Sequence, residues 1–109
     1  MIRRTLSQRR AAETFDLRFW NQLFTVTVGF YADGTPGEVF IDIGKTGNDI
    51  ESIARDAGVL LSLALQHGVS PETISHAITR GASEEPASIL GAVIDSIRTN
   101  SFWEASDGC

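Results

Sequence analysis

The sequence predicts an α+β fold: an antiparallel three-stranded meander followed by one long and two shorter helices packed on the sheet. Three observations predict it. Apolar residues alternate with other residues in the first part of the chain, they recur at intervals of three and four after Gly47, and turn residues separate the periodic segments. Because the strands precede the helices, we expect the helices to cover one face of the sheet.

The first two strands are predicted from this alternation. Every second residue is apolar in two runs: Phe15, Leu17 and Phe19, then Phe24, Val26, Val28 and Phe30. A polar Asn21-Gln22 turn separates the runs. A third strand, Val39–Ile43, follows a loop in which Asp33-Gly34 supplies the positive φ that a hairpin needs.

A helix of about twenty residues is predicted next. Asn48 and Glu51 are spaced as a capping box at its start, and Gly68 is typical of its end. The predicted inward stripe consists of Ile50, Ile53, Ala54, Ala57, Leu60, Leu61 and Ala64.

Two shorter helices complete the predicted fold. Ser70 and Pro71 suit the cap and first position of a helix that runs through about Thr79 and ends near Gly81. The last helix is predicted from about Pro86 through Ile97. Its apolar stripe consists of Ile89, Leu90, Val93, Ile94 and Ile97.

A chain of 109 residues holds one domain. We expect a flexible basic arm over residues 1–12, the domain over residues 13–98 and a tail over residues 99–109. Four of the nine basic residues are the arginines at positions 3, 4, 9 and 10, and all fourteen acids follow them. Because the body is acidic, no nucleic-acid partner is expected. The arm is either an exposed mobile segment or a contact for phosphate.

The composition also limits the chemistry. No charged leader or long apolar run is present, so we expect a cytoplasmic chain without a membrane partner. A single cysteine, Cys109, rules out an intramolecular disulfide and a cysteine-built zinc site. His67 and His76 lack the spacing of metal ligands and are expected to be structural. No metal and no cofactor are therefore predicted.

The segment Lys45, Thr46, Gly47 and Asn48 is the first candidate for ligand binding. A phosphate loop would require glycine where Val39 stands, so that motif is absent. A lysine, a hydroxyl and backbone amides before a helix still form a place where an anion can bind. The alternative is an ordinary strand-to-helix turn with a solvated lysine.

Three arginines are further candidates. Arg55 is predicted either to face a ligand or partner subunit at the rim of the core, or to form a surface ion pair with Glu51. Arg80 and Arg98 lie near helix C-termini, where a cation complements the helix dipole without any binding role. Both alternatives remain open for each residue.

No catalytic residues are predicted. Ser62, Ser70 and Ser75 suit helix surfaces and caps better than a catalytic triad, so we do not expect an enzyme. Five aromatic residues are predicted to be exposed: Trp20, Tyr31, Phe40, Phe102 and Trp103. Arginine forks and aromatic faces bind phosphates and bases, and an uncovered sheet face favours a homodimer or a higher symmetric oligomer.

Residues 37–80, GEVFIDIGKTGNDIESIARDAGVLLSLALQHGVSPETISHAITR, resemble the TSCPD domain, which occurs near the C-terminus of cobalamin-dependent ribonucleotide reductases and in small free-standing proteins. Residues 3–20, RRTLSQRRAAETFDLRFW, resemble the start of such segments. The Thr-Ser-Cys-Pro-Asp signature should fall near residues 86–90, where no cysteine stands. The resemblance therefore implies shared ancestry with the reductases rather than their activity.

Two functions follow as expectations. The first is a non-catalytic homo-oligomeric module that binds a small nucleotide-like ligand. Phage anti-Thoeris sponges, which sequester cyclic nucleotide immune signals, are similar in size and plan to this chain. The second is an accessory or interaction domain that docks on a reductase or, through its arginine arm, on nucleic acid.

Overall fold

A computed structural model describes residues 3–44 and 49–99 and confirms the α+β arrangement. The elements are β1 (Ala12–Phe19), β2 (Gln22–Phe30), β3 (Pro36–Asp42), α1 (Asp49–Gln66), α2 (Pro71–Ala77) and α3 (Ile89–Thr99). The strands form one antiparallel sheet in the order β1-β2-β3, as the meander predicts. No helix within the described ranges is long and apolar enough to cross a membrane.

The hairpin between β1 and β2 turns one residue earlier than predicted. Its two central residues are Trp20 and Asn21, with φ of 51° and 59°. Two-residue hairpins favour turns with positive φ at both positions, because their twist matches that of the strands. Phe19 therefore pairs with Gln22, which belongs to β2 rather than to the turn.

The second connection has the predicted positive φ at Gly34, but it is shorter than predicted, because β3 begins at Pro36 rather than at Val39 and ends at Asp42 rather than at Ile43. Gly34 has φ of +87°, which glycine adopts without steric cost. The Asp33 carboxylate accepts hydrogen bonds from the backbone N–H of Thr35 at 3.0 Å and from its hydroxyl at 2.6 Å. These bonds to Thr35 are the main reason that the pKa of Asp33 lies below its ordinary value.

The hydrophobic core lies between one face of the sheet, α1 and α3. The cross-strand register places alternate apolar residues of all three strands on that face, so the period of two seen in the sequence is confirmed. The largest fully buried apolar side chains are Phe24, Val26, Val28, Val39, Leu61, Ile89, Val93, Ile94 and Ile97.

The inward stripe predicted for α1 is partly wrong. Ile53 and Leu60 are 51% and 61% exposed, whereas the helix buries Ala54, Ala57, Gly58, Leu61, Leu65 and Gln66. The stripe is rotated because α1 packs on the edge strand β3 as well as on the core. Small and polar residues make that edge contact, and apolar residues on the opposite side of the helix stay in solvent.

Capping residues close in sequence determine where α1 ends and where α2 begins. Gly68 has φ of +88°, and the N–H groups of Gly68 and Val69 donate to the carbonyls of Leu65 and Ala64, which ends α1 in a Schellman motif. The Ser70 hydroxyl accepts from the N–H of Thr73 at 3.1 Å and caps α2, as predicted.

The last helix begins three residues later than predicted. Pro86 forms an isolated bridge with Arg80 instead of opening the helix. Ser88 provides the cap, since its hydroxyl accepts from the N–H of Gly91 at 3.1 Å. α3 then runs to Thr99, beyond the predicted end at Ile97.

The N-terminal segment lies against the domain. The Arg4 guanidinium stacks 3.7 Å from the ring centre of Tyr31, and the Tyr31 hydroxyl donates to the Arg4 carbonyl at 2.8 Å. Arg10 pairs with Glu38 at 2.7 Å. Tyr31 is only 8% exposed, which corrects its prediction as an exposed aromatic, and this burial raises its pKa. Phe102 and Trp103 lie outside the described residues.

Candidate functional site

A groove of about 520 Å³ lies between α1 and β3. Its apolar lining includes Phe40, Val59 and Leu63, and its arginines are Arg3 and Arg55. Trp20 and Leu23, two other exposed apolar residues, are outside this lining. The groove is therefore a place where exposed apolar surface and guanidinium groups meet.

Hydrogen bonds from α1 to the outer edge of β3 hold the helix beside the strand and so define the groove. The Ser62 hydroxyl lies 2.8 Å from the backbone nitrogen of Val39 and 3.1 Å from its carbonyl oxygen. The Gln66 amide donates to the Gly37 carbonyl at 2.9 Å. These side chains pair with backbone groups that another strand would otherwise bind, so α1 is fixed beside the edge.

Gly58 allows the helix to approach this closely. A Cβ atom at Gly58 would lie 3.0 Å from the Val39 carbonyl oxygen and 3.3 Å from the Ile41 nitrogen. Both contacts are tight, and both are with backbone that is held in the sheet. Gly58, Ser62 and Gln66 are spaced by four residues, so they form one side of α1.

Phe40 offers an aromatic face in the groove. It pairs with Thr27 on the sheet face opposite the core, and it is 55% exposed. Val59, on the adjacent helix, is 53% exposed. A planar ligand can lie on this apolar surface, since aromatic rings stack with a favourable offset geometry.

The two arginines are separated along the groove. The Arg55 side chain is 70% exposed and lies 3.6 Å from the Glu51 carboxylate, as its surface ion-pair alternative predicted. Arg3 donates to the Gln66 side chain at 2.5 Å. Arg55 and Gln66 are about 16 Å apart along the helix axis at ~1.5 Å per residue. The guanidinium groups can therefore contact two separate anionic groups of one ligand.

The groove also carries acidic groups. Glu38 lines it but pairs with Arg10 at 2.7 Å. Asp42 lines it as well, and its carboxylate accepts from the backbone N–H of Gly44 at 3.0 Å. Because both carboxylates have donors, their charge opposes an anionic ligand less than free carboxylates would.

Arg80 lies away from the groove, between α2 and α3. Its guanidinium binds both oxygens of the Asp95 carboxylate at 2.7 Å. The Ser75 hydroxyl also donates to Asp95, at 2.8 Å, and Ser75 is 1% exposed rather than on the helix surface as predicted. The hydrogen bonds from Arg80 are the main reason that the pKa of Asp95 lies below its ordinary value.

The remaining predicted site residues are not among the described residues that line the groove. Arg98 pairs with Glu72 at 3.2 Å and does not line the groove. Lys45, Thr46, Gly47 and Asn48 lie outside the described residues. Within residues 3–44 and 49–99, no three His, Cys, Asp or Glu side chains are grouped so that they could hold a metal ion.

The groove was not predicted from the sequence. The pattern indicated that Phe40 is an exposed aromatic residue and that one alternative for Arg55 is the rim of the core, but nothing in it placed these two residues beside one groove. Ser62 was expected on the helix surface. The available signal was the run Val59-Leu60-Leu61, in which adjacent large apolar residues cannot all face the core of one amphipathic helix.

Comparisons with known proteins identify the family of this chain. Residues 3–99 match the TSCPD domain. A vitamin B12-dependent ribonucleotide reductase from Rhodopirellula baltica is 49% identical over 47 residues, which is 43% of this chain but 4% of that protein. No solved structure gives a significant match. Since the domain match covers all of the described residues, the chain belongs to the TSCPD domain family.

Proposed function

We propose that this chain is a non-catalytic, self-associating module that binds a small nucleotide-type ligand in the groove between α1 and β3. One observation carries the proposal. The half-exposed Phe40 ring lies in a groove that also contains Arg55 and Arg3. A base can stack on Phe40, and the guanidinium groups can hold phosphates through paired hydrogen bonds.

The charge of the chain favours a small ligand over a polymer. The net charge is −5, and among the residues that the structure describes, most basic groups outside the groove are paired with acids. A nucleic-acid strand needs an extended row of cations along its backbone. A compact ligand needs only the two guanidinium groups of the groove. Sequestration of a cyclic nucleotide immune signal, as in a phage sponge, is the most specific form of this proposal.

The proposal assigns no reaction to the groove. The Ser62 hydroxyl in its wall is bound to the backbone of β3 and to the Gly58 carbonyl. A serine nucleophile needs a neighbouring general base to accept its proton. Backbone amides and carbonyls cannot serve as that base, so Ser62 acts as a structural group.

An accessory role beside a reductase is the second candidate. The observation that favours it is the 49% identity to a segment of a reductase. The exposed Ile53 and Leu60 on α1 supply an apolar contact for a large partner. This candidate predicts binding to the reductase without any small ligand.

A nucleotide screen separates the two candidates. Purified protein is examined by native mass spectrometry for a retained ligand and by thermal shift with mononucleotides, dinucleotides and cyclic dinucleotides. A ligand at 100 times its Kd stabilises the fold by ~2.7 kcal/mol. For a domain of this size, the melting temperature then rises by roughly 10 °C or more.

Two variants give the screen its specificity. Phe40→Ala should remove the stacking surface and most of the shift. Leu23→Ala should keep the shift, because Leu23 is similarly exposed, at 50%, on the same sheet face but outside the groove. A flat screen, or equal shifts in both variants, would contradict the proposed ligand site.

A further inference from the structure

The two edges of the sheet differ in whether other elements hydrogen-bond to them. Ser62 and Gln66 of α1 cover the edge of β3. No helix or loop in the described ranges hydrogen-bonds to the outer edge of β1. We propose that β1 of a second copy of this chain pairs with this edge, antiparallel and centred on Leu17, so that two sheets join into one.

The backbone hydrogen bonds between β1 and β2 show which backbone groups of β1 face away from β2. The N–H of Phe30 donates to the carbonyl of Ala11 at 2.9 Å, so Ala11 and every second residue after it direct their polar groups toward β2. The backbone groups that face away from β2 therefore belong to Ala12, Thr14, Asp16 and Arg18. These groups are available to a partner strand.

Charge complementarity selects the register. With Leu17 opposite Leu17 of the partner, Asp16 lies opposite Arg18 of the partner, and the two-fold axis repeats the pair. Asp16 and Arg18 are exposed on the outer sheet face, where neither makes an ion pair with a described residue. Each pair also exchanges backbone hydrogen bonds, because both residues direct their polar groups outward.

Other registers bring unfavourable pairs together. A pairing centred on Asp16 places two carboxylates opposite each other, and one centred on Arg18 does the same with two guanidinium groups. A pairing centred on Phe15 places Glu13 opposite the apolar Leu17. Like charges directly opposite destabilise a strand pair, and so does a carboxylate in an apolar layer.

The selected register also extends the core. Phe15, Leu17 and Phe19 lie on the core face of β1 and are half-buried in the single chain. Phe15 then meets Phe19 of the partner, and the two Leu17 side chains meet on the axis. Association therefore removes apolar surface from water on the face that the helices cover only in part.

β1 lacks most of the features that keep edge strands apart. It has eight residues, contains neither proline nor lysine, and pairs with β2 without a bulge. Glu13 is a charge on the core face of β1, but in the selected register it lies opposite Asn21 of the partner. Because β1 ends at Phe19, the strand pair extends only over residues 15–19 of each copy, and Glu13 lies beyond it. The edge is therefore suited to one partner in one register.

This inference rests on the proposed function, because it supplies the interface for the proposed self-association. Wild type, D16R, R18D and the double variant D16R/R18D are compared by sedimentation equilibrium. Wild type and the double variant should show dimers of twice 11.8 kDa. Each single variant places like charges opposite each other and should dimerise at least tenfold more weakly.

Mixing the two single variants is the sharper test. In a D16R:R18D pair, each new charge faces an opposite one, so two weakly associating proteins should form a dimer together. The melting temperature of each variant shows whether it is folded. A monomeric wild type, single variants that dimerise like wild type, or a mixture that stays monomeric would each overturn the interface. If wild type dimerises while the swaps have no effect, the interface is elsewhere and the proposed function stands.

Discussion

The Ser62 hydroxyl lies within hydrogen-bond distance of both backbone polar groups of Val39, 2.8 Å from the nitrogen and 3.1 Å from the carbonyl oxygen. One side chain of α1 thus takes the place of a neighbouring strand at the edge of β3. This relationship closes one edge of the sheet and forms the wall of the groove.

Ser62→Ala should destabilise the fold by about 1 to 3 kcal/mol, because the part-buried N–H of Val39 loses its partner. The melting temperature should fall by roughly 4 to 8 °C per kcal/mol. Circular dichroism measures both. Ser52→Ala is the matched control, since Ser52 is exposed on the same helix. Equal melting temperatures for the two variants would show that the edge bond contributes nothing.

Gly58→Ala should also destabilise, although alanine favours a helix over glycine by about 1 kcal/mol. The added methyl group meets β3 backbone at 3.0 Å and 3.3 Å, so α1 must move away from the edge. Overpacking of this kind costs about 1 to 3 kcal/mol. Urea unfolding provides the measurement, and a Gly58→Ala protein more stable than wild type would refute the close approach.

Asp95→Asn should lower stability at neutral pH, because Arg80 loses its charged acceptor while it is still bound to Ser75. The ion pair is mostly shielded, with side chains 21% and 25% exposed, so solvent screens it only in part. Thermal unfolding near neutral pH tests this loss. A variant as stable as wild type would mean that the network is not a source of stability.

The same network should make stability depend on pH. The pKa of Asp95 is lowered in the fold, mainly by Arg80, so its stabilising contribution is complete above the ordinary value of 3.8 and is lost as pH falls through the folded pKa. The pKa of Asp33 is lowered as well, mainly by its hydrogen bonds from Thr35, so its contribution is lost in the same direction as the pH falls. Wild type should therefore lose more stability than Asp95→Asn in acid. Parallel pH profiles for the two proteins would contradict this.

Most of the fold could be predicted because its signals are local. The alternation of β2, the Gly68 stop and the Ser70 cap each depend on neighbouring residues. The exposure of Ile53, Leu60 and Tyr31 was predicted wrongly because it depends on distant groups. The hydrogen bond of Ser62 to β3 fixes which side of α1 is buried, and Arg4 stacks on Tyr31. The groove was missed for the same reason, since Phe40 and Arg55 meet only when α1 docks on β3.

The most direct test of the proposed function is calorimetry on Arg55→Ala with the nucleotide that the screen identifies. Loss of a charge-assisted contact should weaken binding by about 1.5 to 3 kcal/mol. Arg55→Lys should recover part of the affinity, because an ammonium lacks the planar fork. Arg9→Ala, which removes an exposed arginine outside the groove, should bind like wild type. Unchanged affinity in a folded Arg55→Ala protein would contradict the proposal and leave Arg55 as the surface partner of Glu51.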